Sequence, residues 1–256
     1  MRSMATQTRI NIKNVLKDWP RNTVITARGM LKLGISRDLQ RYYVKSGWLE
    51  SIGRGAYTML GENVSLDGAL YTLQTVLGLS VHQGGYSALS EKYGKTHNVP
   101  YARKTQLFAQ RGKKLPPWLV AKYGTEFDLY YTSFLPGDIG LIEYDVGNFL
   151  VRIPCIERAM MEMLYLTPKV HTVQETYQMM ELLTTARPVT IQSLLEHCTS
   201  IKVKRLFLYM AELADHPWLK RINVSRIDLG SGNREIEKGG RLNSKYGIVV
   251  SDPRAI

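Results

Sequence analysis

Cysteine is almost absent from this chain: Cys155 and Cys198 are its two thiols in 256 residues. Neither sits in metal-ligand spacing. Two isolated thiols of this kind read as buried small hydrophobes in a reducing cytoplasm rather than as a disulfide. No apolar run approaches the ~20 residues that a bilayer span requires. The basic N-terminus is followed by no apolar core, so no signal peptide is visible. The five histidines, His82, His97, His171, His197 and His216, form no paired metal-binding pattern. No P-loop, nucleophile elbow or kinase signature occurs. "GSGNREIEKGG", from Gly230 to Gly240, lacks the lysine or spacing of a nucleotide loop and reads as hairpin turns. Asp128, Glu143 and Glu157 lie near apparent strands, but "IEYDVGNF" lacks the lysine that a metal-dependent nuclease would add. The expectation is therefore a protein with no cofactor, no metal and no chemistry of its own.

Acidic residues are scarce at one end. The chain carries a formal charge of +12. Residues 1–60 hold eleven Lys and Arg against Asp18, Asp38 and Glu50, whereas the other 196 hold 23 basic and 19 acidic side chains. Most of the excess thus falls in under a quarter of the length. That asymmetry suits a polyanion-binding module joined to a more neutral body. A solvated basic face is the plainer alternative.

The first sixty residues have the punctuation of a winged helix. Ile12, Val15, Leu16 and Trp19 fall at helical spacing over Arg9–Trp19, and Pro20 stops that helix. Thr26 offers an N-cap to "ARGMLKLG", which Gly34 ends. Ser36 caps the next helix, "RDLQRYYVKSG", which Gly47 closes. Two short helices about a glycine turn form a helix-turn-helix. The segment "SGWLESIGRGAYTML" follows, with strand-like flanks around Gly53-Arg54-Gly55. On the second helix Ile35, Leu39, Tyr42 and Ser46 share one face, read as inward, with Tyr42, Tyr43 and Trp48 assigned to the core. Arg37, Asp38, Arg41 and Lys45 lie opposite, with Gln40 and Val44 beside them. In this reading Arg28 and Lys32 meet phosphates, and Arg37, Gln40 and Arg41 meet base edges, because arginine pairs bidentately with guanine and glutamine with adenine. Arg54 enters an adjacent minor groove or touches phosphate.

The polar stretch "GENVSLDG", residues 61–68, reads as a linker, dividing the chain into a DNA-binding domain at 1–62 and a larger domain at 63–256. The second part mixes strands ("TQLFAQ", "FDLYYTSF", "FLVRIP") with helices ("CIERAMMEMLYLTP", "TVQETYQMMELLTT", "KVKRLFLYMAEL"). The fold class is accordingly α+β, a winged helix-turn-helix followed by a mixed α/β domain. His82, Gly84, Gly85 and Ser87 stand where a strand meets a helix, which suits a phosphate cradle or, more simply, a capped turn. Lys202, Lys204 and Arg205 form a basic cluster that suits a docking partner or a solvated helix start. Two other classes of function stay open on residues alone. One is a nucleic-acid-processing enzyme targeted by the winged helix, and the other an adaptor binding a protein through residues 172–220.

Five stretches in order, "GISRDLQRYYVKSGWLESIGRGAYTML", "VHQGGYSALSEKYG", "RIPCIERAMMEML", "VKRLFLYMAELADHPWL" and "IDLGSGNREIEKGG", together resemble the AbiEi-type antitoxin family of type IV toxin–antitoxin (abortive-infection) systems. The resemblance spans both expected domains. It implies a cytoplasmic autorepressor that binds inverted repeats in its own promoter. It also implies an antitoxin that opposes a nucleotidyltransferase-like toxin without a stable complex. Any assembly of copies would form on the DNA. Carried onto this sequence, the DNA role falls on Ser36 to Lys45 and on Arg54. The antitoxic role attaches to the C-terminal domain as a whole. The family's usual Pro-Glu-Arg appears here as Ile156-Glu157-Arg158.

Overall fold

A computed structural model describes residues 19–96 and 103–254. Its strands are β1 (Ile25–Thr26), β2 (Leu49–Gly53), β3 (Ala56–Met59), β4 (Val81–Gln83), β5 (Thr105–Gln110), β6 (Phe127–Thr132), β7 (Leu141–Asp145), β8 (Leu150–Pro154), β9 (Arg234–Glu235), β10 (Arg241–Asn243) and β11 (Ile248–Val250). Its α-helices are α1 (Ala27–Lys32), α2 (Arg37–Lys45), α3 (Leu66–Tyr71), α4 (Gly85–Glu91), α5 (Pro117–Tyr123), α6 (Ile156–Leu166), α7 (Val173–Glu181), α8 (Pro188–His197) and α9 (Ile201–Leu213). The architecture is α+β, and the chain divides into two compact units.

The first unit opens β1-α1-α2-β2-β3, with its three strands antiparallel in the order β1-β3-β2. This is a winged helix-turn-helix. The helix expected over Arg9–Trp19 lies outside the described residues except for Trp19, whose indole N–H donates to Thr23 Oγ1 at 2.8 Å. Local chemistry sets the helix ends. Thr26 Oγ1 accepts from the Gly29 N–H at 3.0 Å, and Ser36 Oγ from the Leu39 N–H at 3.3 Å. Gly34 (φ 80°) and Gly47 (φ 73°) terminate α1 and α2 in the left-handed region, where glycine carries no Cβ penalty. The next N–H groups, of Ile35 and Trp48, then donate to the Met30 and Tyr43 carbonyls at 2.9 Å each. Ile25, Met30, Ile35, Tyr43, Leu49 and Met59 form the core beneath.

The boundary expected at residue 62 lies further along, because the first unit runs to Ser80 and also takes in Lys114–Thr125 and Tyr144–Val151. The supposed linker is a helix start: Val64 is buried and Ser65 caps α3. Beyond α3 the chain continues as a π-helical turn, Thr72–Val76. Thr72 Oγ1 donates to the Val24 carbonyl at 2.8 Å and accepts the Val24 N–H at 3.1 Å. Tyr123 on α5 donates its hydroxyl to the Val64 carbonyl at 2.9 Å. These bonds make 63–80 part of the first core rather than a tether.

The second unit has a sheet ordered β4-β5-β6, with β4 antiparallel and β6 parallel to β5. Its core is helical: Met160, Met163, Leu164, Leu194, Leu206 and Phe207 are fully buried. Thr172 and Glu175 form a reciprocal capping box at the start of α7. Strands β9–β11 close the unit in the order β10-β11-β9. Cys155 and Cys198 are buried and free, and burial pushes their thiols up to about 12 and about 11, so both remain protonated and inert.

Candidate nucleic-acid interface

Helix α2 carries the surface of interest. Its inner side is Gln40 and Tyr43, with Val44 half-buried, and its outer side is Arg37, Asp38, Arg41, Tyr42 and Lys45. The inward face assigned from the sequence is therefore corrected. Ile35 is buried but precedes the helix, while Leu39 and Tyr42 are 38% and 61% exposed and Trp48 is 42% exposed. Gln40, expected at a base edge, is 2% exposed. Its amide Nε2 donates to the Ala27 carbonyl at 3.2 Å and the Ile35 carbonyl at 3.0 Å. It is a brace between the two helices of the turn, not a reader. Ser36 Oγ accepts from the Leu39 N–H in the α2 cap, a bond that does not use its O–H.

The other expected contact residues are at the surface. Arg28 and Lys32 are exposed on α1, and Arg37, Arg41 and Lys45 on α2. Arg41 meets Asp38 Oδ1 at 2.9 Å, but both side chains are mostly solvated, so the pair opens at little cost. Arg54 is exposed at the tip of the β2-β3 hairpin. Its two glycines have different reasons. Gly55 sits at φ 72° in the turn, and its carbonyl accepts the Ala27 N–H at 2.9 Å. A Cβ on Gly53 would lie 2.7 Å from Cβ of Trp118 on α5, so this glycine admits a helix of the same unit. Exposed Lys114 and Lys122 also belong to this unit, and sequence reading missed them because nothing local ties residues 114–125 to the hairpin.

The remaining candidates resolve into internal bonding. The turn at Gly84-Gly85 does hold an anion, the chain's own Glu162. Glu162 Oε2 accepts the Gly85 N–H at 3.2 Å, and Oε1 meets His82 Nε2 at 2.8 Å and Arg158 Nε at 2.9 Å. Burial opposes the charge, yet His82 and Arg158 hold this carboxyl below its ordinary range. Ser87 Oγ accepts the Gln106 N–H at 2.8 Å. Arg187 grips Glu157 through Nε and Nη2, at 3.0 Å each. Ile156 is the first residue of α6, the position at which proline is most at home, and a residue with an N–H serves equally well there.

The basic cluster on α9 likewise turns inward. Lys202 donates to the Tyr165 carbonyl at 2.7 Å, and Lys204 to the Asp228 carbonyl at 2.9 Å. Arg205 donates to the carbonyls of Leu229 (2.7 Å), Gly230 (3.1 Å), Gly232 (2.6 Å) and Gly247 (2.8 Å). The "DLGSG" segment thus receives the cations of "VKR", which explains why the two stretches occur together. The acids do not assemble either. Asp128 lies 3.9 Å from Lys104 at the surface, Glu143 is exposed, and Glu157 is buried against Arg187. Among the described residues no three His, Cys, Asp or Glu side chains gather as a metal site, and no helix is long and apolar enough to cross a membrane.

Comparisons with known proteins divide the chain at residues 101/102, within the second compact unit. The model of the AbiEi antitoxin N-terminal domain, described as a transcriptional regulator, matches residues 8–101. The model described as "Transcriptional regulator, AbiEi antitoxin, Type IV TA system" matches residues 102–251. The crystal structure of the RV2827C protein from Mycobacterium tuberculosis is similar over 93% of this chain and 89% of its own, with a TM-score of 0.60 and 14% identity, a likeness of fold alone. No curated protein sequence matches the chain. On the two matches, which together run from residue 8 to residue 251, the chain belongs to the AbiEi antitoxin family of transcriptional regulators of type IV toxin–antitoxin systems.

Proposed function

We propose that the protein is a sequence-specific DNA-binding autorepressor and antitoxin that acts in the cytoplasm. It binds inverted repeats upstream of its own operon and counteracts a nucleotidyltransferase-like toxin without forming a stable complex with it. The observation that carries the DNA reading is the row Arg37, Arg41 and Lys45, exposed on the second helix of a helix-turn-helix, with exposed Arg54 at the adjacent hairpin tip. In such a domain the second helix enters the major groove and the hairpin flanks it. Arg37 and Arg41 present guanidinium forks to guanine edges, Arg28, Lys32 and Lys45 neutralise phosphates, and Arg54 enters the adjacent minor groove or touches phosphate. Lys114 and Lys122 add charge to the same unit. An inverted repeat takes two copies, and in this reading a monomer in solution pairs on the DNA. No chemistry of the chain's own is involved.

A promoter fusion tests the first half. The chain supplied in trans should silence a reporter driven by its own upstream DNA, and Arg37→Ala with Arg41→Ala should relieve that silencing. Unrelieved silencing by the double variant would refute the assignment of α2. The second half is tested by co-expression with the toxin gene of the same operon. Growth should be restored by the full chain, with the toxin absent from the purified antitoxin.

A further inference from the structure

The outer surface of α2 has two rows. Arg37, Arg41 and Lys45, four residues apart, make a cationic row, and Leu39 and Tyr42, three apart, make an apolar row beside it. The apolar row is 38% and 61% exposed, so both side chains are open to a partner. Tyr42 is held in place, since its ring stands edge-on to the buried ring of Tyr43 at a centroid distance of 5.8 Å. Asp38 lies between the rows and pairs with Arg41 at 2.9 Å.

A cationic row alongside an apolar one is complementary to one surface in particular. A DNA major groove has phosphates on its wall and, on its floor, a single kind of apolar group, the thymine 5-methyl. We infer that Leu39 and Tyr42 are specificity-determining residues, packing against thymine methyls while Arg37, Arg41 and Lys45 hold the phosphates and guanine edges beside them. This rests on the DNA-binding reading above and assigns to the apolar row the adenine–thymine discrimination for which the buried Gln40 is unavailable. The operator half-site should accordingly contain thymines next to its guanines.

Removing the methyl groups is the test. The probe is the duplex upstream of the gene, prepared once with thymine and once with deoxyuracil throughout, titrated with the full chain. Each methyl packed against the helix should be worth about threefold to fivefold in affinity, so removing two of them together weakens the wild type about tenfold or more. The double variant Leu39→Ala, Tyr42→Ala should bind the thymine duplex more weakly by that factor and lose nothing further on uracil. The variant gives up the Tyr42–Tyr43 ring contact, so some loss of melting temperature is expected, and its far-ultraviolet circular dichroism at the assay temperature should match the wild type. Tyr42→Phe should keep the full response, because the ring makes the contact. A wild type that selects the upstream duplex but ignores the methyls overturns this inference and leaves the DNA reading standing. A wild type with no preference for that duplex overturns both. A double variant that changes a dimer to a monomer in sedimentation, with the methyl response intact, assigns the row to contact between copies and overturns the inference too.

Discussion

Replacing Gln40 by leucine separates a brace from a base reader. The leucine side chain is close in volume to glutamine, so the substitution removes polar bonds without opening a cavity. Two hydrogen bonds disappear, from Nε2 to the Ala27 carbonyl at 3.2 Å and to the Ile35 carbonyl at 3.0 Å. At about 1 kcal/mol net for each, with the two carbonyls left to find other partners, the loss is about 2 kcal/mol. In a unit of this size that lowers the melting temperature by about 8–16 °C. The carbonyls joined by Gln40 start α1 and end the turn before α2, so the loss loosens the angle between those helices. Circular dichroism at 222 nm reads the shift, together with tryptophan fluorescence from a Trp218→Phe background in which Trp19, Trp48 and Trp118 of the first unit are the fluorophores left. Binding to a library of operator variants reads the preference. Overall affinity should fall, because α2 is less well held, while the ranking of bases at every operator position stays the same. A variant of wild-type stability that no longer prefers adenine at one position would place the glutamine in the groove and refute the account of its burial.

Further consequences follow from the same geometry. Arg205→Ala leaves four carbonyls without their donor at a site 4% exposed, so stability should drop by about 3–5 kcal/mol. Residues 228–250 should become open to protease at temperatures where DNA binding persists, and unchanged protection would sink the role of this side chain. His171 is buried, with the Arg103 guanidinium 2.9 Å from Nδ1, and burial and then that charge lower its imidazole to about 4. Its unfolded counterpart binds a proton at about 6.5, so stability is complete above pH 6.5 and falls by up to about 3 kcal/mol as the pH drops toward 4. A proton resonance of this ring that titrates near pH 6.5 in the folded protein would contradict the placement. Arg54→Ala should weaken operator binding by about 1–3 kcal/mol if the tip reads a base or groove, and by less if it meets a phosphate. Unchanged binding at fixed salt would remove the hairpin from the interface.

What the sequence made legible is what short-range chemistry decides. Thr26 and Ser36 cap the helices read from them, and Gly34 and Gly47 stop those helices, because a cap needs only a side-chain oxygen and a stop only a residue without Cβ. The phase of α2 was not legible. Ile35, Leu39 and Tyr42 share a spacing, but a nine-residue helix takes its inward side from its neighbours, and those selected Gln40 and Tyr43. "GENVSLDG" has the composition of a linker, yet serine before an aspartate-bearing turn is equally a helix start. The inward turn of Lys204 and Arg205 was beyond any charge pattern, since their partners are backbone carbonyls, which every sequence contains. The glycine pair at 84–85 reads most simply as a capped turn, and nothing local shows that the Gly85 N–H meets a glutamate 77 positions further on.

Selective binding of the winged helix to the chain's own upstream DNA is central to everything proposed for this protein. A mobility-shift titration with that fragment, against scrambled competitor at 50 and 200 mM salt, tests it most directly. With about four phosphates neutralised by each copy, the affinity of a single copy should fall about a hundredfold between the two salts, and that of two copies on an inverted repeat by about the square of that factor, while the preference for the upstream fragment persists. Equal, salt-labile binding to both fragments would contradict it and reduce the domain to a general DNA anchor.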